Sequence, residues 1–600
     1  MASDLGSVSG AGDISAAAAG AQWHCPAASL FQAQHGQEVD VVIVGAGVAG
    51  LGAAQRLMRS PETRRLRVVV LEAGPHVGGR LRQDRTFFAD GTPLDVGAEL
   101  VHGANNEMVH LAEAAGTKLH QLFTWSQGDG GPSEEPAPDG SVGYYWLPSE
   151  QRMARYDELP DAIEHMHDTL HSIGDEAQSM FDTPEALDKA RNLEPGSQGT
   201  VMHHLASKQI QGDSLKLASA GFGNTTGGIL EELSLERIGS FERAWGKDGE
   251  EADYRMVGGY APFLRWISTG VPVSINSPVT AIDCSAGSAG AFPISVVFEQ
   301  RCPACERHDI ASGSCSTTTP TAATRADPHC AVIRCKRVIV TIPPPVLRSG
   351  FVKFQPPLSD TRCQALSRIQ LRNGIKVALK FKRRVWPTDC MGLVSGGTVF
   401  PEMWMNSVGG LGAVVAPPPV AEHAHGLQGL ANDLKSGAVP AAPVQSTSMG
   451  APPPVEGAPF LVIGFAMGPF ADRLLQLHPD EAVRAMLQQL ATMFHQRVPS
   501  ASTAFTQAFV SGRVYSWALD KWIQGAYTCP SILEHPGDRT ELAKPHADGQ
   551  VLFAGEAVSG ANESLDSPLT LHGALRTGIH AAQTVAAALG TPSTGPTAKL

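Results

Sequence analysis

The chain of 600 residues is longer than one hydrophobic core usually supports, so two or more domains are expected. Its apolar content of 42% and charged content of 18% fit a globular chain, and its formal net charge of −13 argues against sequence-independent nucleic-acid binding, which needs a basic surface. Ten cysteines spread along the length do not make a disulfide scaffold, and no apolar run reaches transmembrane length.

Residues 1–37 are rich in Ala, Gly and Ser without periodicity, and are expected to be disordered. No Lys or Arg precedes Arg56, so this stretch lacks the basic region of a secretory signal and the arginines of a transit peptide. Val39–Val44 reads as a buried strand and meets Gly45, Gly47 and Gly50 at GxGxxG spacing. A helical segment, the apolar strand Val68–Leu71 and the acid Glu72 follow. In that order the parts describe a dinucleotide site. Gly45 allows the turn, Gly47 the approach of a pyrophosphate and Gly50 the packing of helix on strand, while Glu72 accepts from an adenosine ribose.

Gly78, Gly79 and Arg80 come next, then DVGAELVHG at Asp95–Gly103, with helical spacing from Glu107. Ser126–Gly143 reads as a surface loop, and Tyr156–Ile173 as an amphipathic helix whose acids are a solvated face. Asp253–Tyr260 (DYRMVGGY) precedes a helix and the strand-like run Val271–Ile282. Between two further strand-like runs, Ile294–Glu299 and Val332–Ile342, lie Cys302, Cys305, His308, Cys315, His329, Cys330 and Cys335. One CxxC has metal-ligand spacing, but no second follows at a standard interval, so a reduced hairpin loop is expected and no metal is assigned. Arg337–Pro387 carries RVIVTIPPPVL, FVKFQPPLSD and LRNGIKVALKFKRRVWP. Alternation places Val377, Leu379 and Phe381 on one strand face and Lys376 with Lys380 and Lys382 on the other. Val415–Pro459 reads as a Pro/Ala/Gly-rich loop. WALDKWIQGAY (Trp517–Tyr527), VLFAGEAV (Val551–Val558) and SPLTLHGALRTGIHAAQTVAAAL (Ser567–Leu589) follow, and the chain ends Ala598-Lys599-Leu600.

These segments, in this order, resemble the flavin-dependent amine oxidase family. The resemblance implies an α/β fold in which a Rossmann-like FAD-binding domain (38–125, 252–345 and 535–590) is interleaved with a mixed-sheet and helical substrate-binding domain (126–251 and 346–534). The inserts at 300–330 and 415–459 fall outside it. It implies non-covalent FAD, because Ala526 stands where monoamine oxidases carry a tethering cysteine. Arg80, Gly97, Val279, Glu556 and Leu571 would join Gly45, Gly47, Gly50 and Glu72 around the cofactor. Lys376 would reach flavin N5 through a water, His102 would line the substrate channel, and Tyr527 would wall an aromatic cage. The VHG turn, the AGE triplet and the SKL-like tail resemble peroxisomal polyamine oxidases, implying small polyamine substrates, O2 as acceptor, hydrogen peroxide as product and an import receptor as partner. The alternatives are another amine oxidase, acting on L-amino acids or on methylated histone lysine, a flavin-binding protein without amine oxidase activity, an NAD-dependent dehydrogenase, and a cytoplasmic location.

Overall fold

In the computed structural model, residues 28–590 are described apart from 103–105, 122–141, most of 182–198, 247–252, 287–289, 300–329, 408–458 and 562–566. Val41–Val44 and Val68–Leu71 are apolar at every position because both faces of their sheet are covered. Six parallel strands lie in the order Ser29–Leu30, Pro272–Ser274, Val68–Leu71, Val41–Val44, Arg337–Val340 and Val551–Phe553. Alternation sorts their side chains. Val41, Ile43, Val70 and Ile339 pack with the helices Val48–Arg59 and Leu571–Leu589, whereas Val42, Val44, Val69 and Val338 pack against a four-stranded sheet.

That second sheet runs Cys330–Cys335, Ile294–Glu299, Val279–Asp283, Lys353–Gln355. Its first two strands pair antiparallel from Ile294 opposite Cys335 to Glu299 opposite Cys330, so the Cys/His-bearing segment joins the arms of a hairpin. Cys302, Cys305, His308, Cys315 and His329 lie outside the described residues, as do most of the expected loops at 126–143 and 415–459.

The remaining sheet has seven strands, in the order Phe509–Ser516, Gly374–Phe381, Phe460–Met467, Glu402–Ser407, Cys390–Ser395, Val142–Leu147, Arg152–Arg155. All neighbours are antiparallel except Cys390–Ser395 with Val142–Leu147. The expected alternation holds: Ile375, Val377, Leu379 and Phe381 bury with the helices Pro479–Met493 and Ala501–Ala508. Lys376 and Lys380 turn the other way, toward the loop segments at 87–99.

Three expectations change. Ser29–Leu30 is not disordered but extends the parallel sheet beside Pro272–Val273, and Ala33 is buried with its N–H on Ser274 Oγ at 3.1 Å; a short apolar segment thus covers an otherwise open sheet edge. The boundary expected at 345–346 comes too early. Lys353–Gln355 pairs with Ala281–Asp283, and Leu347, Val352, Leu366 and Ile369 bury in the core beneath the parallel sheet, because burying these apolar side chains holds the chain there. Finally, Tyr156–Ile173 is a single 3-10 turn, Tyr156–Glu158, and then the helix Asp161–His171, which starts after an extended Pro160.

Gly50 sets how closely the first helix approaches its strand, since a Cβ there would lie 2.0 Å from the Gly45 carbonyl oxygen. Gly50→Ala is expected to cost about 1–3 kcal/mol by overpacking, read as a lower urea midpoint. An unchanged midpoint would mean that helix and strand are further apart.

Candidate functional site

Strand Val41–Val44 ends in a turn at Gly45, which adopts φ +104° and has no room for a side chain, since a Cβ would lie 2.4 Å from Thr341 Oγ1. Gly47 is the N-cap of helix Val48–Arg59 and makes no side-chain cap. A Cβ on Gly47 would meet no protein atom within 4 Å, and the residue lines a cavity of 1310 Å³. Helix amides that no side chain caps, fronted by open space, form a cradle that suits a diphosphate. Gly50, by contrast, does not line the cavity; its part is packing.

Glu72 Oε2 accepts from Ala46 N–H (2.7 Å) and Oε1 from Gly74 N–H (2.8 Å), which fixes the carboxylate at the cavity wall with lone pairs left for ribose hydroxyls. Burial pushes its carboxyl above the ordinary value. Val279 opens a strand on the same wall. Arg80 Nη1 donates to Ala526 O (2.7 Å) and to Glu556 Oε2 (3.1 Å), and buried Glu556 also accepts from the N–H and hydroxyl of Thr528. Thr570 caps helix Leu571–Leu589 by accepting from Gly573 N–H (3.0 Å), so Leu571 and the first helical amides face the cavity. Ala526 lines it too, and among the described residues no cysteine does. These features fit FAD: a diphosphate cradle, an acid for a ribose and a helix N-terminus at the far end.

Lys376 is 7% exposed and lines the same cavity. Its Nζ donates to Glu99 Oε2 (2.6 Å), Gly97 O (2.9 Å) and Asp95 O (3.5 Å). The ammonium is therefore held in an ion pair, since a cation this buried needs a counter-charge. Glu99 gives its other oxygen to Arg255, and although burial opposes ionisation, the charges of Lys376 and Arg255 hold the carboxyl below the usual range. Asp95 behaves in the opposite way. Burial, with the charge of Glu99 adding to it, pushes its carboxyl up to about 7, while its oxygens accept from Gln83 Nε2 (2.6 Å) and Tyr260 N–H (3.2 Å).

Strand register carries the site across the seven-stranded sheet. Tyr515, Lys376, Phe465 and Glu402 stand opposite one another on four adjacent strands, and all four line the cavity. The rings of Phe465 and Trp404 stack at 5.2 Å, and Lys376 Nζ lies 5.6 Å from the centre of the Trp404 ring. Tyr527 faces this group and donates its hydroxyl to Thr225 O (2.7 Å); burial pushes the phenol well above its usual range, so it stays a donor. His102 is exposed and lines the cavity. Apart from Gly50, every residue expected at the site borders this one cavity. Sequence reasoning missed Glu99, Tyr515, Trp404, Phe465 and Glu402. Only Glu99 left a signal, as the one acid between Gly97 and His102 in a segment otherwise read as a flavin-side turn.

The chain matches the family described as flavin containing amine oxidoreductase over residues 48–586. It is 23% identical over 556 residues to human lysine-specific histone demethylase 2, covering 91% of this chain and 53% of that protein, so it spans about half the demethylase's length. It is 24% identical over 580 residues to the cattle peroxisomal N(1)-acetyl-spermine/spermidine oxidase, covering 90% of this chain and 93% of that one. Among solved structures it resembles a putrescine oxidase bound to putrescine, with a TM-score of 0.62, 17% identity and coverage of 92% of this chain and 99% of that one.

Two substitutions test the buried charges. Glu99→Gln leaves Lys376 and Arg255 without their shared carboxylate and is expected to cost about 3–5 kcal/mol; an unchanged urea midpoint would show that the pair is not formed. Between pH 3.8 and about 7, folded Asp95 keeps a proton that the unfolded chain has lost, so its contribution to stability falls as pH rises through that window. Asp95→Asn removes this component, and its stability relative to wild type should rise from pH 4 to 7. Parallel curves would contradict the assignment.

Proposed function

The chain belongs to the flavin containing amine oxidoreductases, whose cofactor is FAD, and on that premise we propose that it oxidises polyamines such as spermine, spermidine or their acetylated forms. The observation that carries this reading is the single cavity joining the diphosphate cradle at Gly47 to an aromatic chamber around Lys376. Relatives named for acetyl-spermine and spermidine oxidation support it, matched over most of their length.

FAD, when bound, supplies the acceptor for the hydride leaving the carbon next to the substrate nitrogen. The chain's own groups do the rest. The Gly45–Gly47 turn and the amides of the following helix would hold the diphosphate, Glu72 would take the ribose, and the backbone of Val279 would meet the adenine. Arg80 with Glu556 would hold the ribityl and phosphate part, and the amides at Leu571 would stabilise negative charge on the flavin. Tyr527, Trp404 and Phe465 exclude water and attract the cationic amine, and His102 lines its path. Lys376, fixed by Glu99, holds a water beside the reacting atoms. With the cofactor bound, the overall reaction would consume the amine, O2 and water and give an aldehyde, a shorter amine and hydrogen peroxide. Relatives named as peroxisomal oxidases support a peroxisomal location, with the cytoplasm as the alternative.

A peroxide-release panel of spermine, spermidine, N-acetylated forms, monoamines, L-amino acids and methyl-lysine peptides checks the substrate class. Polyamines should lead it, and a panel led by L-amino acids or methyl-lysine peptides would overturn the proposal. Because the amine must lose its proton before its α-carbon gives up hydride, turnover should rise with pH over the range where the amine deprotonates. Lys376→Met should retain FAD yet release peroxide about a hundredfold or more slower, the scale of one positioned proton-handling group; a normal rate would remove the role given to Lys376.

A further inference from the structure

We infer that Arg539 is a positioning residue for the cofactor end of the cavity, acting through Thr528 and Glu556 to set where Arg80 stands. This role rests on the functions given to Arg80 and Glu556 above and is independent of which amine is oxidised. Arg539 belongs to the short helix Asp538–Ala543, is 2% exposed and does not border the cavity. Every N–H donor of its guanidinium nevertheless finds an acceptor. Nε donates to Glu534 Oε1 (2.8 Å) and Nη2 to Glu534 Oε2 (3.1 Å), a bidentate pair with a carboxylate that is itself buried. Nη2 also donates to Thr528 Oγ1 (2.8 Å), and Nη1 to the carbonyls of Ser559 (3.1 Å) and Glu556 (3.4 Å). A guanidinium donates in its plane and leaves its face for an aromatic ring. Here Cζ lies 4.8 Å from the centre of the Phe241 ring.

Burying such a pair costs more than its attraction returns unless the geometry is close to ideal, and apolar residues of the same volume often serve stability as well. What the pair adds is direction. Because Thr528 Oγ1 accepts from Arg539, its single proton is sent to Glu556 Oε1. With Oε1 engaged, Oε2 of the same carboxylate meets Arg80 Nη1 (3.1 Å), whose other acceptor, the carbonyl of Ala526, comes just before Thr528 in the chain. Phe241, under the guanidinium, belongs to the helix Leu235–Gly246, whose Glu242 and Trp245 line the cavity. One buried group thus ties the strand Tyr527–Cys529, the 3-10 turn Glu556–Val558 and a helix of the substrate side to a single geometry, and Arg80 stands at its end. A lysine carries the same charge without the planar fork and cannot reach these acceptors together.

The test reads FAD affinity rather than turnover. Holoenzyme is brought to equilibrium dialysis and its bound and free flavin measured, as wild type, Thr528→Val, Thr528→Ser and Arg539→Lys. Thr528→Val keeps the side-chain shape and removes the link, so its FAD Kd should rise at least about tenfold, the worth of one hydrogen bond to a charged group. Thr528→Ser keeps the hydroxyl and should recover most of that loss, while Arg539→Lys should resemble Thr528→Val. In an Arg80→Met background, Thr528→Val should raise Kd no more than about twofold further, because the group it positions is gone. A Kd unchanged in Thr528→Val, an equal loss in Thr528→Ser, or a full further loss in the Arg80→Met background would leave Arg539 a purely structural residue and overturn the assignment. A wild type that holds no FAD would overturn the cofactor reading and this assignment together. One that holds FAD but oxidises no polyamine would overturn the proposed substrate class alone, and the Kd comparison would still decide the role of Arg539.

Discussion

The ion pair between Lys376 and Glu99 is the constraint on which the rest of the site depends. A primary ammonium this far from water is stable only with a counter-charge and further acceptors, and it has both: the Glu99 carboxylate and the carbonyls of Gly97 and Asp95. Those acceptors come from one short segment, while the lysine comes from the second strand of the seven-stranded sheet, so the contact locks sheet to loop. Arg255, on the strand Asp253–Met256, closes the cluster from the other side. Asp95, its carboxyl pushed up to about 7 by burial and the charge of Glu99, keeps its proton below that pH, and that proton relieves the crowding of two carboxyls.

The same logic of pairing across elements recurs along the cavity. Arg80, just after the first dinucleotide strand pair, is held by Ala526 and Glu556 from the C-terminal part of the chain. Tyr527, next to Ala526, reaches Thr225 of the helical segment, and Thr225 holds Glu402 of the sheet. The dinucleotide half supplies amides and an acid for the cofactor. The seven-stranded sheet supplies a row of alternating side chains. Lys376 stands where the two meet, and this explains how one strand can bury its Val, Leu and Phe on one face and offer two lysines on the other.

Much of this was legible because it is local. The turn at Gly45, the helix behind it and Glu72 fall within one βαβ unit, and the period-2 pattern of Ile375–Phe381 gave the facing of Lys376. What escaped was nonlocal. The partner of Lys376 lies 277 positions away, and no periodicity links them. Trp404 and Phe465 stack although their strands flank the stretch 408–458, which carries no recognisable motif. Glu402 is a single acid in a strand, indistinguishable by sequence from a solvated one until its register with Lys376 is known. Ser29–Leu30 is too short to announce itself as a strand, and its place follows from the open edge it covers.

The central claim is that one cavity holds FAD in the cradle at Gly47 and presents it to the deprotonated reacting amine of the substrate beside Lys376. Rapid mixing of the purified protein with spermidine in the absence of oxygen tests it most directly, followed through the visible absorption of the flavin. The account predicts a yellow protein whose absorption bleaches within a turnover and returns on admitting oxygen. A colourless protein, or one whose flavin spermidine leaves oxidised, would contradict it.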